Sequence, residues 1–218
     1  MSGKLIVFEG TDGSGKSTQF SLLCRALEQK GIPFEKLVFP QYSEPSSSLI
    51  RMYLGGEFGQ KPSDVNAYAA SSFYAVDRYA SYQKVWGEYY REGGLVLSDR
   101  YTTSNAVHQA SKIPQQEREE FFRWLAEFEH DRLGLPRPDV VIWLDMPIER
   151  AVANLRSREA ATHTTADIHE VDTDYLKTCY ETAKEAARYY GWTRISCVDG
   201  GGQLRTPEEI HREILGLI

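Results

Sequence analysis

The sequence of 218 residues predicts an α/β domain in which a five-stranded parallel sheet is flanked by helices. Two observations support this fold class: short apolar runs rich in β-forming residues recur along the chain, and segments of helical periodicity separate them. Strands joined through helices require right-handed crossovers, which leave the strands parallel and the helices on both faces. The length fits a single domain over residues 1–218.

The first predicted strand, at residues 4–8, is an apolar run that ends at Glu9 and is followed by a glycine-rich loop. A helix is predicted from Lys16 to about residue 30, because apolar side chains recur at helical spacing and Gly31 fits a helix end. The other strands are predicted at residues 34–39, 95–98, 140–144 and 193–198, and further helices at residues 46–54 and 63–91.

Composition and charge exclude several classes of protein. With 41% hydrophobic and 26% charged residues, the chain is neither disordered nor fibrous. A net charge of −6 argues against nucleic acid or anionic lipid as a partner. No membrane-length apolar run and no secretion signal is found, so we expect a cytoplasmic protein. Cys24, Cys179 and Cys197 lack C-x-x-C spacing and are expected to be reduced thiols.

Residues 10–17, Gly-Thr-Asp-Gly-Ser-Gly-Lys-Ser, match the phosphate-loop pattern G-x-x-x-x-G-K-[ST] between a predicted strand and a helix. Backbone N–H groups of such a loop and the helix N-terminus attract phosphate. Lys16 is predicted to contact the β- and γ-phosphates, and the Ser17 hydroxyl to ligate Mg²⁺. The fold prediction narrows to a three-layer P-loop NTPase, and the absence of N-K-x-D argues against a GTPase switch. The predicted ATP site comprises Gly10, Thr11, Asp12, Gly13, Ser14, Gly15, Lys16, Ser17 and Thr18.

Asp99 and Arg100 follow the third predicted strand, at the edge where open α/β sheets bind ligands. The Asp99 carboxylate suits a magnesium-bound water or the neighbouring guanidinium, and the Arg100 guanidinium suits a phosphate. A structural ion pair at the strand end is the alternative.

Five stretches taken together resemble thymidylate kinases, in order and with family-like gaps over nearly the whole chain. They are residues 8–19 (FEGTDGSGKSTQ), 39–42 (FPQY), 74–78 (YAVDR), 98–101 (SDRY) and 104–105 (SN). The resemblance implies Mg²⁺-dependent transfer of the γ-phosphoryl group of ATP to dTMP. It also implies a homodimer paired through long helices.

The resemblance further implies roles for single residues. Asp12 contacts the acceptor sugar or the metal, Tyr74 stacks on the pyrimidine and Arg78 hydrogen-bonds its carbonyl, although helix packing is an alternative for Tyr74 and Arg78. Asn105 contacts the base edge, and Arg100 bridges both phosphates. The implied catalytic residues are Lys16, Arg100, Asp12, Arg158 and Arg156, and the implied metal ligands are Ser17, Asp99 and Asp12. The implied dTMP site comprises Asp12, Phe39, Pro40, Tyr42, Tyr74, Arg78, Arg100, Ser104, Asn105 and His108.

Three positions depart from the family pattern. Some members have an arginine at the position of Gly13; this chain resembles those that supply the charge from a lid, through Arg156 or Arg158. Tyr42 stands where other members place a phosphate-binding arginine, which leaves more of the acceptor-phosphate clamp to Arg100, with Arg51 as a further candidate. His108 replaces a tyrosine that lies near the sugar in related bacterial enzymes.

Residues 157–172 are small, polar and poorly periodic, and a mobile lid or an ordinary surface loop fits them equally. Asp167 and Glu170 within this segment match an acidic pair of the family, and a surface charge pair explains them as well.

Two rival functions remain at this stage. A deoxynucleoside kinase needs a carboxylate base for its hydroxyl acceptor, and Glu9 is the candidate. A catalytically idle nucleotide-binding module is the other rival, and the intact Lys16, Ser17, Asp99 and Arg100 argue against it.

Overall fold

The computed structural model describes the backbone of residues 2–162 and 173–218, and the side chains of these residues apart from 158–162 and 173. Five strands form one sheet in the order β2-β3-β1-β4-β5. All four strand pairings are parallel, which confirms the predicted sheet. The strands are β1 (Lys4–Glu9), β2 (Glu35–Val38), β3 (Leu95–Asp99), β4 (Val140–Asp145) and β5 (Thr193–Ser196).

The central strand β1 explains why the sheet is buried on both sides. Successive side chains of a strand point to opposite faces. Leu5 and Val7 belong to one hydrophobic cluster, and Ile6 and Phe8 belong to the cluster on the other face. All four side chains are fully buried, as expected for a parallel sheet with helices on both faces.

Helices cover the two faces of the sheet, joined by short 3₁₀ turns and by two π-helical segments, Tyr82–Trp86 and Glu127–Arg132. The helices of the described residues are α1 (Lys16–Gln29), α2 (Ser48–Leu54), α3 (Ala67–Ser81), α4 (Gly87–Arg91), α5 (Thr102–His108), α6 (Arg118–Ala126), α7 (Ile148–Thr162), α8 (Thr173–Tyr190) and α9 (Pro207–Leu215).

The helix predicted over residues 63–91 is confirmed from Ala67 to Arg91, but it starts later than predicted and changes pitch in its middle. α3 begins at Ala67, because the Asn66 side chain caps it by accepting a hydrogen bond from the Ala69 N–H at 2.9 Å. The π-helical segment Tyr82–Trp86 then separates α3 from α4. The buried Trp86 indole packs against the Tyr82 ring in this segment, with centroids 4.7 Å apart. A regular spacing of apolar residues does not reveal such a local change of helical pitch.

α7 continues to Thr162, so residues 157–162, the first part of the predicted lid segment, are helical. Residues 163–172 lie outside the described residues, and so do Asp167 and Glu170. Among the described helices, none combines the length and the apolar character needed to cross a membrane.

Candidate active site

The phosphate loop connects β1 to α1 and lies against the start of α7. Gly13 adopts a left-handed φ of 82°, and a Cβ atom placed on it would lie 2.1 Å from the Ala151 carbonyl oxygen. The Asn154 side-chain amide donates a hydrogen bond to the Gly13 carbonyl at 2.8 Å. The loop has no room for a side chain at position 13, which gives a steric reason for the glycine there.

Lys16, Ser17 and Asp99 meet where β1 and β3 end side by side. The Lys16 Nζ lies 3.4 Å from Asp99 Oδ1, and the Ser17 hydroxyl donates to Asp99 Oδ2 at 3.2 Å. Parallel pairing brings these residues together, since Phe8 of β1 is in register with Asp99 of β3.

The Ser17–Asp99 pair fits a magnesium ion. Asp99 Oδ1 is buried and accepts no hydrogen bond from the residues that the structure describes. Those residues also contain no cluster of three or more histidine, cysteine, aspartate or glutamate side chains that could form a complete metal cage. Mg²⁺ characteristically takes one or two protein oxygens and completes its shell with water and substrate phosphates. A hydroxyl beside a carboxylate therefore suits Mg²⁺ bound to a nucleotide.

Arg100 has a strained backbone. Its φ of 68° is the one positive value among the non-glycine residues described here. A left-handed conformation costs about 1–2 kcal/mol for a residue with a side chain. Two hydrogen bonds hold it: the Arg100 N–H donates to the Phe8 carbonyl at 3.0 Å, and the Ser98 hydroxyl donates to the Arg100 carbonyl at 2.5 Å.

The Arg100 guanidinium is held by four side chains. Nη2 donates to Asp12 Oδ1 at 2.5 Å, and Nη1 donates to the Ser104 hydroxyl at 3.3 Å. Nη1 also lies 3.1 Å from His108 Nε2 and 3.6 Å from Glu9 Oε1. Burial by itself would raise the pKa of Asp12, but Arg100 holds it well below its usual range. Asp12 is therefore an ionised partner of Arg100.

Glu9 is fully buried and has its oxygens occupied. Oε1 accepts from the Gly10 N–H at 2.9 Å, and Oε2 accepts from the hydroxyls of Thr103 and Ser104, each at 2.7 Å. It does not line the cavity described below. Its position ties the N-terminal turn of α5 to the end of β1, so it is poorly placed to take a proton from an acceptor hydroxyl.

His108 stands behind Arg100. Because Nε2 accepts a hydrogen bond from the guanidinium, the partners assign the ring hydrogen to Nδ1, which lies 3.7 Å from the buried Cys179 sulfur. Burial, together with the positive charge of Arg100, lowers the pKa of His108 to about 3. The imidazole is therefore neutral near pH 7.

A cavity opens between the phosphate loop, β2, α3 and α5. It is lined by every residue predicted for the dTMP site: Asp12, Phe39, Pro40, Tyr42, Tyr74, Arg78, Arg100, Ser104, Asn105 and His108. Sequence reasoning missed Leu54, Tyr101 and Gln109, which also line it. Leu54 and Gln109 belong to none of the motifs, whereas Tyr101 ends the 98–101 motif and could have been included.

Comparisons with known proteins agree with this geometry. The family model for thymidylate kinase matches residues 8–214. The chain belongs to the thymidylate kinase family. Members of this family are ATP-dependent kinases that phosphorylate dTMP to dTDP. The deoxynucleoside kinase and the idle nucleotide-binding module are thereby set aside.

Individual relatives cover most or all of the chain. It is 33% identical to a thymidylate kinase of Mycobacterium tuberculosis over 155 residues, 71% of each chain. It is 30% identical to a probable thymidylate kinase of Pyrococcus horikoshii, over 100% of this chain and 97% of the relative. The solved structure of thymidylate kinase from Candida albicans superposes with a TM-score of 0.72 at 20% identity, covering 100% of this chain and 91% of the other, and it confirms the P-loop NTPase fold.

In this cavity, Arg78 and Asn105 share Glu129 as a hydrogen-bond partner, which lies in none of the sequence motifs. The Arg78 guanidinium, 2% exposed, forms a two-point ion pair with Glu129, whose Oε atoms lie 2.7 Å from Nε and 2.6 Å from Nη2. The Asn105 amide donates to Glu129 Oε1 at 3.0 Å. A signal did exist, since Phe121, Leu125 and Glu129 recur every four residues and place an acidic residue on the buried face of a helix.

Arg156 and Arg158, the two arginines predicted to supply charge to the transferred phosphoryl group, come shortly after Asn154 in the sequence of α7. Asn154 is the residue of α7 that donates a hydrogen bond to the phosphate loop. Arg156 is exposed on α7, two residues beyond Asn154. The side chain of Arg158 lies outside the described residues.

Proposed function

We propose that the chain performs the thymidylate kinase reaction by Mg²⁺-assisted in-line transfer, with ATP on the phosphate loop and dTMP in the cavity beside Arg100. One observation supports this arrangement above all others. The Arg100 guanidinium is bonded to Asp12 of the phosphate loop and lines the cavity, so a single cation borders both subsites.

On the donor side, the N–H groups of residues 10–18 and the Lys16 ammonium bind the triphosphate. Lys16 is 7% exposed, and its ammonium group is held in place by Asp99. This position puts the ammonium beside the phosphoryl group on which negative charge develops during transfer. Ser17 and Asp99 would hold Mg²⁺. A Mg²⁺ ion held there would supply positive charge against the negative charge of the phosphate groups.

On the acceptor side, no general base is required. The second pKa of a phosphate monoester is about 6, so the attacking oxygen of dTMP is largely ionised at neutral pH. The task of the protein is to hold two anions together, and Arg100 does so with a guanidinium that four side chains fix in place. Tyr74 offers a ring face to the pyrimidine, and Arg78 and Asn105 offer polar atoms to its edge.

A lid over residues 157–172 belongs to the proposal, with Arg158 or Arg156 supplying charge to the phosphoryl group in transfer. Its support is the contact of α7 with Gly13, because position 158 follows Asn154 by about 6 Å of helical rise. We expect Arg158→Ala to lower kcat far more than the affinity for dTMP, with Arg156→Ala as the matched comparison. If only Arg156→Ala lowers kcat, Arg156 is the finger, and if neither does, the lid assignment is wrong.

The central test is Arg100→Met in a coupled assay with ATP and dTMP. Loss of a preorganised cation at the transferring group lowers kcat by roughly 10²–10³-fold. Arg132→Met is the control, because Arg132 forms an exposed ion pair with Glu127 and does not line the cavity. An Arg100→Met enzyme with the kcat of the control would refute the assignment.

A homodimer and a cytoplasmic location complete the proposal. Val76 and Tyr79 of α3 are 51% and 41% exposed, and adjoining apolar side chains on one helix face are typical of subunit contacts. We expect Val76→Glu to convert a dimer to a monomer in sedimentation equilibrium, and a monomeric parent chain would contradict the proposal. Cys24, Cys179 and Cys197 are free and buried, which supports a reducing compartment.

A further inference from the structure

Glu129 is a buried carboxylate with three hydrogen bonds, all of them from side chains that line the acceptor cavity. It is 0% exposed, although it lies in the π-helical segment Glu127–Arg132, away from every phosphate motif. Its donors are Arg78 Nε, Arg78 Nη2 and Asn105 Nδ2. A carboxylate so placed only accepts hydrogen bonds, and it therefore dictates which atoms of Arg78 and Asn105 remain for a ligand.

The orientation of the Asn105 amide follows from this partner. Nδ2 has two hydrogens, and it donates to the Ser71 carbonyl at 3.1 Å and to Glu129 Oε1 at 3.0 Å. Both acceptors lack a proton to give, so neither tolerates the amide in the flipped orientation. Asn105 consequently offers the cavity its Oδ1 atom, which is an acceptor.

Arg78 offers the opposite polarity. Its Nε and Nη2 atoms face Glu129, and the guanidinium has no acceptor group of any kind. Nη1 remains as a donor for a ligand in the cavity that Arg78 lines. The pair thus presents one fixed donor and one fixed acceptor.

This polarity matches a pyrimidine with a 4-oxo group. Thymine and uracil carry an acceptor at O4 and a donor at N3–H, whereas cytosine carries a donor at its 4-amino group and an acceptor at N3. The Arg78 donor pairs with O4 of thymine or uracil, and the Asn105 acceptor pairs with N3–H. In cytosine the Arg78 donor would face the 4-amino donor, and the Asn105 acceptor would face the N3 acceptor. A ligand that leaves buried polar groups of a site without hydrogen-bond partners binds much more weakly than one that pairs with them, so the site discriminates strongly between the two bases.

We infer that Glu129 is a specificity-determining positioning residue, which orients Arg78 and Asn105 so that the site accepts 4-oxo pyrimidine monophosphates and rejects 4-amino ones. The inference rests on the proposed location of dTMP in this cavity. Glu129 itself touches no substrate in this arrangement and acts through its two partners.

The test compares Glu129→Gln with the parent enzyme, using dTMP and dCMP as acceptors in the same preparation. The introduced amide places an NH₂ group where one carboxylate oxygen was. Arg78 therefore loses one acceptor in either amide orientation, and Asn105 loses its acceptor in one of them. Loss of a charge-assisted hydrogen bond corresponds to about 10–100-fold, and we expect KM for dTMP to rise by about that factor with a much smaller change in kcat. The ratio of kcat/KM for dTMP to that for dCMP should fall at least tenfold (order of magnitude, from the same hydrogen-bond values).

Glu127→Gln is the matched control, because Glu127 starts the same π-helical segment but is 51% exposed and bonded to Arg132. It should leave both KM and the acceptor ratio unchanged. The ratio does not depend on the fraction of folded enzyme. If Glu129→Gln does not fold, Glu129→Asp, which is too short to reach both donors, should shift the ratio in the same direction.

An unchanged acceptor ratio in both Glu129 variants would overturn the inference. Tyr74→Ala separates this result from failure of the proposed site. It should raise KM for dTMP and dCMP together if the base binds in the cavity. If Tyr74→Ala changes neither KM, the proposed location of dTMP is wrong, and the inference fails with it.

Discussion

The contact between the phosphate loop and α7 makes Gly13→Ala the most informative stability variant of this chain. Gly13 and Gly15 have nearly the same backbone, with φ values of 82° and 85°. A Cβ on Gly13 would lie 2.1 Å from the Ala151 oxygen and 2.8 Å from its carbonyl carbon, whereas a Cβ on Gly15 has no neighbour within 4 Å. The two substitutions therefore share a left-handed φ but differ in their contacts with α7.

The expected difference can be worked from these distances. The left-handed backbone costs either alanine about 1–2 kcal/mol. Gly13→Ala must in addition push α7 away, which costs about 1–3 kcal/mol by overpacking. It also weakens the hydrogen bond from Asn154 to Gly13, worth about 1 kcal/mol. Gly13→Ala should lose about 2–4 kcal/mol more stability than Gly15→Ala, out of a total of about 5–15 kcal/mol for a domain.

Urea unfolding of the nucleotide-free protein measures both free energies, with the midpoint compared at constant slope. Omitting ATP keeps phosphate binding out of the comparison. Equal losses in the two variants would refute the steric argument and would show that the loop moves away from α7 without cost.

Three further predictions concern the acceptor side and the metal. His108, whose pKa is lowered to about 3 from an ordinary value of 6.5, takes up a proton in the unfolded chain but not in the folded one between these pH values. The free energy of unfolding should therefore fall as the pH drops from 6.5 toward 3, by up to about 1.4 kcal/mol per pH unit from this group, and His108→Gln should flatten that slope in urea titrations at successive pH values. Glu9→Gln should destabilise the protein, because Thr103 and Ser104 lose a shared carboxylate acceptor, and it should raise KM for dTMP; a preserved Tm with a loss of kcat alone would instead make Glu9 a catalytic base. Asp99→Asn should raise the Mg²⁺ concentration for half-maximal activity, since it removes the charged partner of Ser17, and a Mg²⁺ curve identical to that of the parent enzyme would contradict the proposed ligand set.

Most residues that line the cavity could be predicted from the sequence because they occur in short motifs that resemble those of thymidylate kinases. Phe39 follows β2, Arg100 follows β3, and Asn105 lies one turn into the next helix. Parallel strands end at one edge of the sheet, so motifs far apart in the chain meet there. Tyr74 and Arg78 are four residues apart on α3, which places them on one face without any tertiary information.

Tertiary structure decided the features that depend on contacts between distant segments. Glu129 follows Arg78 by 51 residues, and only the packing of their helices shows that the acid is the partner of Arg78 and Asn105. The left-handed turn at Arg100 directs the guanidinium toward Asp12, and His108 lies behind it.

The sequence by itself determined the order of strands and helices, the phosphate loop and the residues around the acceptor, because each depends on local periodicity or on a contiguous motif. Which side chains are fixed, and by what, was decided only in three dimensions. Burial turns a long-range pair such as Arg78 and Glu129 into a rigid unit, because an unpaired charge is too costly to leave in the core.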